Sequence, residues 1–216
     1  MDSRQHQEAR RMDAAKHRLE LWAVILISVA SVLSAWCAYQ SARWSNAQAQ
    51  SYARANATRL ESLRQSGLAN RQMMIDINLF TAYESALEYQ RPAFAGTISE
   101  RFPERLKTAL NAWLATKPLS NAQAPTSPFV MKEYKVPAED KAEALESEAK
   151  GYFQDGVSAN ETANRYVLMT VLFASVSFLA GVGSKFDTRA MAITTMVLGS
   201  VVLVVTGAVL ITHPVR

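Results

Sequence analysis

Three stretches of the chain are apolar all round; the rest alternates between polar runs and one-sided apolar patterns. The stretches are 21–40 (LWAVILISVASVLSAWCAYQ), 166–184 (YVLMTVLFASVSFLAGVGS) and 190–212 (AMAITTMVLGSVVLVVTGAVLIT), and none contains Asp, Glu, Lys, Arg or His. A helix of roughly 20 apolar residues crosses a ~30 Å hydrocarbon layer. A soluble core helix of that length would carry a polar stripe, and these carry none. The pattern predicts transmembrane helices over 20–40, 166–184 and 190–212. They are flanked by a charged N-terminal segment (1–19), a short turn (185–189) and a tail (213–216). The first stretch reads as an uncleaved anchor. Its charged preamble is long and mixed, and no small-x-small cleavage site closes it.

Between the first two spans lie residues 41–165. No proline occurs before Pro92, and only Gly67 interrupts a run of helix-forming residues there. The first span is therefore expected to continue as one long helix, bent near Gly67. Its apolar side is expected to begin at Leu60, Leu63 and Leu68 and to continue through Met73, Ile77, Phe80 and Leu87. Residues 91–103 read as a connector. A shorter helix follows with Phe102, Leu106, Leu110, Trp113 and Leu114 on one face. Residues 117–137 hold Pro118, Pro125, Pro128 and Pro137 and must form an extended loop. A helix from Ala138 then runs into the second span. The fold class predicted is all-α: an integral membrane protein with a helical extramembrane domain inserted between spans one and two.

Charge adds two things. Lys and Arg favour the cytoplasmic side. Arg4, Arg10, Arg11, Lys16 and Arg18 precede the first span, and Lys185 and Arg189 bracket the turn. The N-terminus is thus expected in the cytoplasm of a bacterial cell, and 41–165 on the periplasmic or extracellular side of its inner membrane. Residues 43–71 carry five arginines against Glu61, whereas 139–161 carry seven acids against Lys141 and Lys150. The two long helices could be antiparallel neighbours, within one subunit or between subunits in coiled-coil fashion, or could each face solvent. The overall charge of +4 is spread along the chain. That distribution points away from nucleic acid.

Candidate chemistry is sparse. His6, His17 and His213 all lie outside 41–165, no phosphate-binding or nucleophile-elbow motif occurs, and Cys37 sits within a span. No cofactor, metal or catalytic residue is predicted, and the chain reads as a non-enzyme. Asp76, in the apolar stretch MMIDINLF, either points outward, pairs with an arginine, or is a buried structural or ligand-binding group. Small residues recur at close-packing intervals in the spans, including Gly181 in the second and Gly199 and Gly207 in the third.

The strings WCAYQSARWS (36–45), NAWLATKPL (111–119), SPF (127–129), EY (133–134) and ANETANRYVL (159–168) carry a resemblance. On these the chain resembles an uncharacterised family of bacterial three-span membrane proteins, a domain of unknown function. The resemblance runs from about residue 20 onward. It implies a bacterial membrane protein and brings no activity, ligand or partner. It draws attention to Gln40, Arg43, Trp44, Glu161 and Arg165, where two spans would leave the membrane on one face and Arg43 could meet Glu161 or a lipid phosphate.

The expected function is a non-enzymatic scaffold or accessory subunit in contact with membrane lipid, assembling as a homo-oligomer or with a partner membrane protein. The alternative is a homo-oligomeric channel or pore lined by Ser and Thr.

Overall fold

A computed structural model describes the backbone of residues 2–186 and 188–216, and the side chains of 16–186 and 188–216. The N-terminal charges before Lys16 that bear on orientation lie outside the described side chains. Among the described residues the chain is all-α, with no strand. The helices are α1 (Asp2–Glu88), α2 (Pro92–Glu100), α3 (Glu104–Ala115), α4 (Pro137–Gly183) and α5 (Arg189–Ile211), with one 3-10 turn at Pro128–Val130. Three of them, α1, α4 and α5, are long and apolar enough to cross a membrane. The residues divide into two compact bodies: 1–52 with 153–216, and 53–152.

In the first body, α1 buries Ala23, Leu26, Ala30, Cys37, Gln40 and Ala47, spaced by threes, fours and sevens. That spacing is one stripe of a helix. Helix α4 answers with Gly156, Ala159, Ala163, Tyr166, Phe173 and Ala180. The Ser34 hydroxyl reaches the Thr170 carbonyl, and Tyr52 stacks on Phe153 at 5.4 Å. Advance along α1 is thus retreat along α4, and the pair is antiparallel. Small residues let the backbones approach closely, which matters where lipid offers no hydrophobic drive to association. Helix α5 packs through Met196 and Gly199; a Cβ on Gly199 would sit 3.7 Å from Leu179 Cβ, in ordinary contact. A Cβ on Gly181 or Gly207 would meet nothing within 4 Å, so neither marks a close approach within the chain. The outward sides are apolar: Val32, Phe178 and Val204 are each 69% exposed.

In the second body the same two helices meet through Ala55, Ser62 and Ala69 on α1 and Ala142 and Ala149 on α4. The Ser62 hydroxyl donates to the Ala142 carbonyl at 2.8 Å. Beyond this contact a compact apolar cluster gathers Phe80 of α1, Phe102 beside α3, and Leu106 and Leu110 of α3. Phe129 in the loop meets Phe80 edge-on at 5.6 Å, and the Trp113 indole donates to the Pro125 carbonyl at 2.7 Å. The proline-rich segment is therefore a packed loop.

Helix α1 runs through Gly67 without a break, as expected, and no glycine adopts positive φ. Three expectations are corrected. The connector 91–103 contains α2, which Pro92 opens; proline suits a first helical turn, where the missing N–H is not needed. Leu60, Leu63 and Leu68 are exposed, because the contact with α4 is too close for leucine and takes alanine and serine instead; Leu87, beyond the end of that contact, is exposed too. Leu114 is also exposed, outside the α3 core face.

Two glycine substitutions test the close contacts. Gly67→Ala adds a methyl group to open space and should stabilise by about 0.5–1 kcal/mol through helix propensity. At Gly156 a Cβ would overlap the Tyr52 ring, already stacked on Phe153. Overpacking costs about 1–3 kcal/mol, so Gly156→Ala should destabilise despite the same gain in propensity. Thermal unfolding in detergent, followed by circular dichroism, reads both.

Candidate functional site

The second body holds the one charged side chain that is fully buried among the described residues, Asp76, at 0% exposure. Its position follows from the register of α1. Ser62, Ala69 and Asp76 are seven residues apart, so the stripe that faces α4 brings Asp76 to the interior as well. Arg105 of α3 meets it as a fork: Nε donates to Oδ2 at 2.6 Å and a terminal nitrogen donates to Oδ1 at 2.9 Å. The Tyr134 hydroxyl, from the loop, donates to Oδ2 at 2.8 Å. A planar guanidinium satisfies both carboxylate oxygens at once, which a lysine could not. Phe129 packs edge-on against Tyr134 at 5.1 Å and fixes its ring. Asp76 thus does not point outward; it pairs with an arginine and is buried.

Burial pushes the Tyr134 phenol well above its ordinary range, and its bond to Asp76 pushes it further. The phenol is a donor held for the carboxylate at neutral pH. It has no tendency to act as a base there.

In the first body a second polar cluster forms around the tail after α5. The Tyr166 hydroxyl donates to the Pro214 carbonyl at 3.0 Å, and the Trp44 indole N–H donates to the same oxygen at 3.2 Å. The Arg216 N–H donates to Gln40 Oε1 at 2.9 Å, and the Arg216 guanidinium lies 4.6 Å from the centroid of the Trp44 ring. Gln40 is 1% exposed, so its amide finds its acceptor role inside the fold. Residues of α1 and α4 together clasp the tail that follows α5.

Of the residues expected to matter, Gln40 and Trp44 come together in this clasp and Asp76 in the buried knot. Arg43, Glu161 and Arg165 are exposed, and no ion pair joins Arg43 to Glu161 among the described residues. The charge complementarity of the two long helices yields one ion pair between them there, Arg59 to Glu146 at 3.7 Å. It is half-exposed and adds little beside the small-residue contact. Sequence reasoning missed Arg105, Tyr134 and the tail. Arg105 left a trace: with Phe102, Ala109 and Trp113 it keeps a three-to-four spacing on the α3 core face. Tyr134 stood out only as part of the EY string and as apolar material of the loop, with nothing to mark its hydroxyl as a partner of Asp76, and Pro214 left no trace, since loop and tail carry no periodicity.

Chemically, the knot is a fastening. Both oxygens of its carboxylate are held, by three donors in all, and no group of three or more His, Cys, Asp or Glu side chains could hold a metal ion among the described residues. Removing one partner of a buried pair strands the other charge, which costs about 3–5 kcal/mol. Arg105→Ala should therefore unfold or greatly loosen the second body, and Tyr134→Phe should cost about 1.5–3 kcal/mol. Because the folded phenol holds its proton more tightly than the unfolded one, stability should fall as pH rises past about 10. Tyr134→Phe should remove that part of the alkaline loss, read as denaturation midpoints at neutral and alkaline pH. Against family models, curated proteins and solved structures the chain finds no match, so the functional reading rests on these groups alone.

Proposed function

We propose that the chain is a multi-pass protein of the bacterial inner membrane. It crosses three times and carries a helical extramembrane domain over 41–165 between its first and second spans. It acts without enzymatic chemistry, as a scaffold or accessory subunit that assembles through its spans and helical domain with a second copy or a partner membrane protein. No cofactor and no nucleic acid take part.

The membrane placement is supported by three helices of spanning length and by their apolar outward sides. Water would not tolerate such surfaces over this extent, and lipid welcomes them. The observation that carries the scaffold reading is the state of Asp76. A catalytic acid, base or nucleophile must reach a substrate. Asp76 instead ties α1 to α3 and to the loop through Arg105 and Tyr134, and so stiffens a surface. Several hydroxyls of the spans turn back to their own helices, as Thr170 does to the Tyr166 carbonyl and Ser200 to that of Met196, and Ser34 reaches the neighbouring α4. This favours helix packing over a pore.

Two measurements test the reading. In a Cys37→Ala background, Leu119→Cys, fully exposed, should react with a membrane-impermeant maleimide on intact spheroplasts. Arg10→Cys should react only after permeabilisation; the reverse pattern would put the domain in the cytoplasm. Gentle solubilisation followed by native mass spectrometry should show a defined assembly. A ring of copies around a continuous Ser- and Thr-lined path would replace the scaffold with the pore.

A further inference from the structure

The second body leaves one face of its helix pair uncovered. There α1 presents Leu60, Leu63, Gly67, Asn70 and Met74, spaced three, four, three and four, the spacing of a helix-packing seam. Leu60, Leu63 and Met74 are 52%, 64% and 58% exposed. Leu63 and Asn70 form part of one wall of a groove of about 590 Å³, and Glu139, Glu143 and Glu146 of α4 stand on the other. Arg64 and Arg71 each follow a seam residue by one position, where coiled helices carry the charges that choose a partner.

The charges on this face are largely unspent. Among the described residues Arg71, Glu139 and Glu143 make no ion pair, and Arg64 meets only Glu61 of its own helix, at 3.4 Å. The α1 segment 53–75 holds four arginines against one acid, and α4 over 139–150 holds five acids against two lysines. The bond from Ser62 to the Ala142 carbonyl sets the level of the two helices, bringing Arg64 to the height of 139–143.

We infer that this face binds a second copy of the chain, side by side, to form a four-helix bundle of two α1 and two α4 segments. The inference rests on the three-span reading: two copies in one membrane share a two-fold axis along the membrane normal. Each level of one copy then faces the same level of the other. About that axis α1 of each copy lies beside α4 of its partner, so Arg64 meets the partner's Glu143 twice by symmetry while like helices sit diagonally. The exposed seam closes into the bundle core. A different protein would have to reproduce both halves of this pattern. A second copy carries them already, at matching heights.

The test is cross-linking in native membranes with a short bismaleimide, in a Cys37→Ala background, because helices that sit diagonally lie too far apart for a direct disulfide. Leu63→Cys should give a cross-linked dimer, and Gln72→Cys, on the far side of α1, should give none. Arg64→Glu should lower the Leu63→Cys yield about fivefold, the effect of two exposed charge pairs, and adding Glu143→Arg should restore it. Circular dichroism of each purified variant confirms that it folds. Equal yields at Leu63→Cys and Gln72→Cys would mean random collision and overturn the dimer. Protein that resists carbonate extraction yet gives no cross-link would overturn the dimer alone. Protein that carbonate releases would overturn the three-span reading itself.

Discussion

The close approach of α1 to α4 is the constraint on which the rest depends. It occurs in each body, through Ala23, Ala30 and Ala47 with Ala159 and Ala163 in one, and Ala55, Ser62 and Ala69 with Ala142 and Ala149 in the other. Two helices separated by alanines and glycines gain dispersion along both backbones, but they exclude larger side chains from the contact. Leu60, Leu63 and Leu68 are displaced outward for that reason. Gly156 is held to hydrogen because the Tyr52 ring occupies the place of its Cβ.

Each body adds one polar fastening to this contact. Asp76 recruits Arg105 and Tyr134 and so collects α3 and the proline-rich loop onto α1. Gln40, Trp44 and Tyr166 collect the tail after α5. Buried polar groups of this kind are costly unless satisfied, and both clusters satisfy them with donors from elements far apart in sequence. They specify which segments meet more than they add net stability, since a well-packed apolar substitute could equal a buried ion pair in energy. The same bonding removes these groups from solution chemistry. What the second body offers outward is a surface of leucine, methionine and unspent charge.

Much of this was legible beforehand. The three all-apolar stretches, the long helices on either side of 91–137 and the looped character of 117–137 follow from composition over tens of residues, which neighbours cannot easily override. Periodicity placed Leu106, Leu110 and Trp113 on the face that packs. It misjudged α1, where hydrophobicity pointed to the leucines and the buried stripe is alanine and serine. On a helix that packs at alanine distance, residue size decides the inner face. Asp76 stood out in its apolar run, but whether it faced inward depended on the register of that small-residue stripe. Its partners, 29 and 58 residues away, could not be read from local pattern.

The sequence by itself determined the helical class, the three spanning lengths and the opposite charges of the two long helices. These properties belong to continuous segments, and local chemistry sets them. Only the tertiary structure decided the inner face of α1, the role of Asp76 and the seat of the tail. Each of these is a contact between distant segments, and its geometry exists only once the backbones of α1 and α4 have come close.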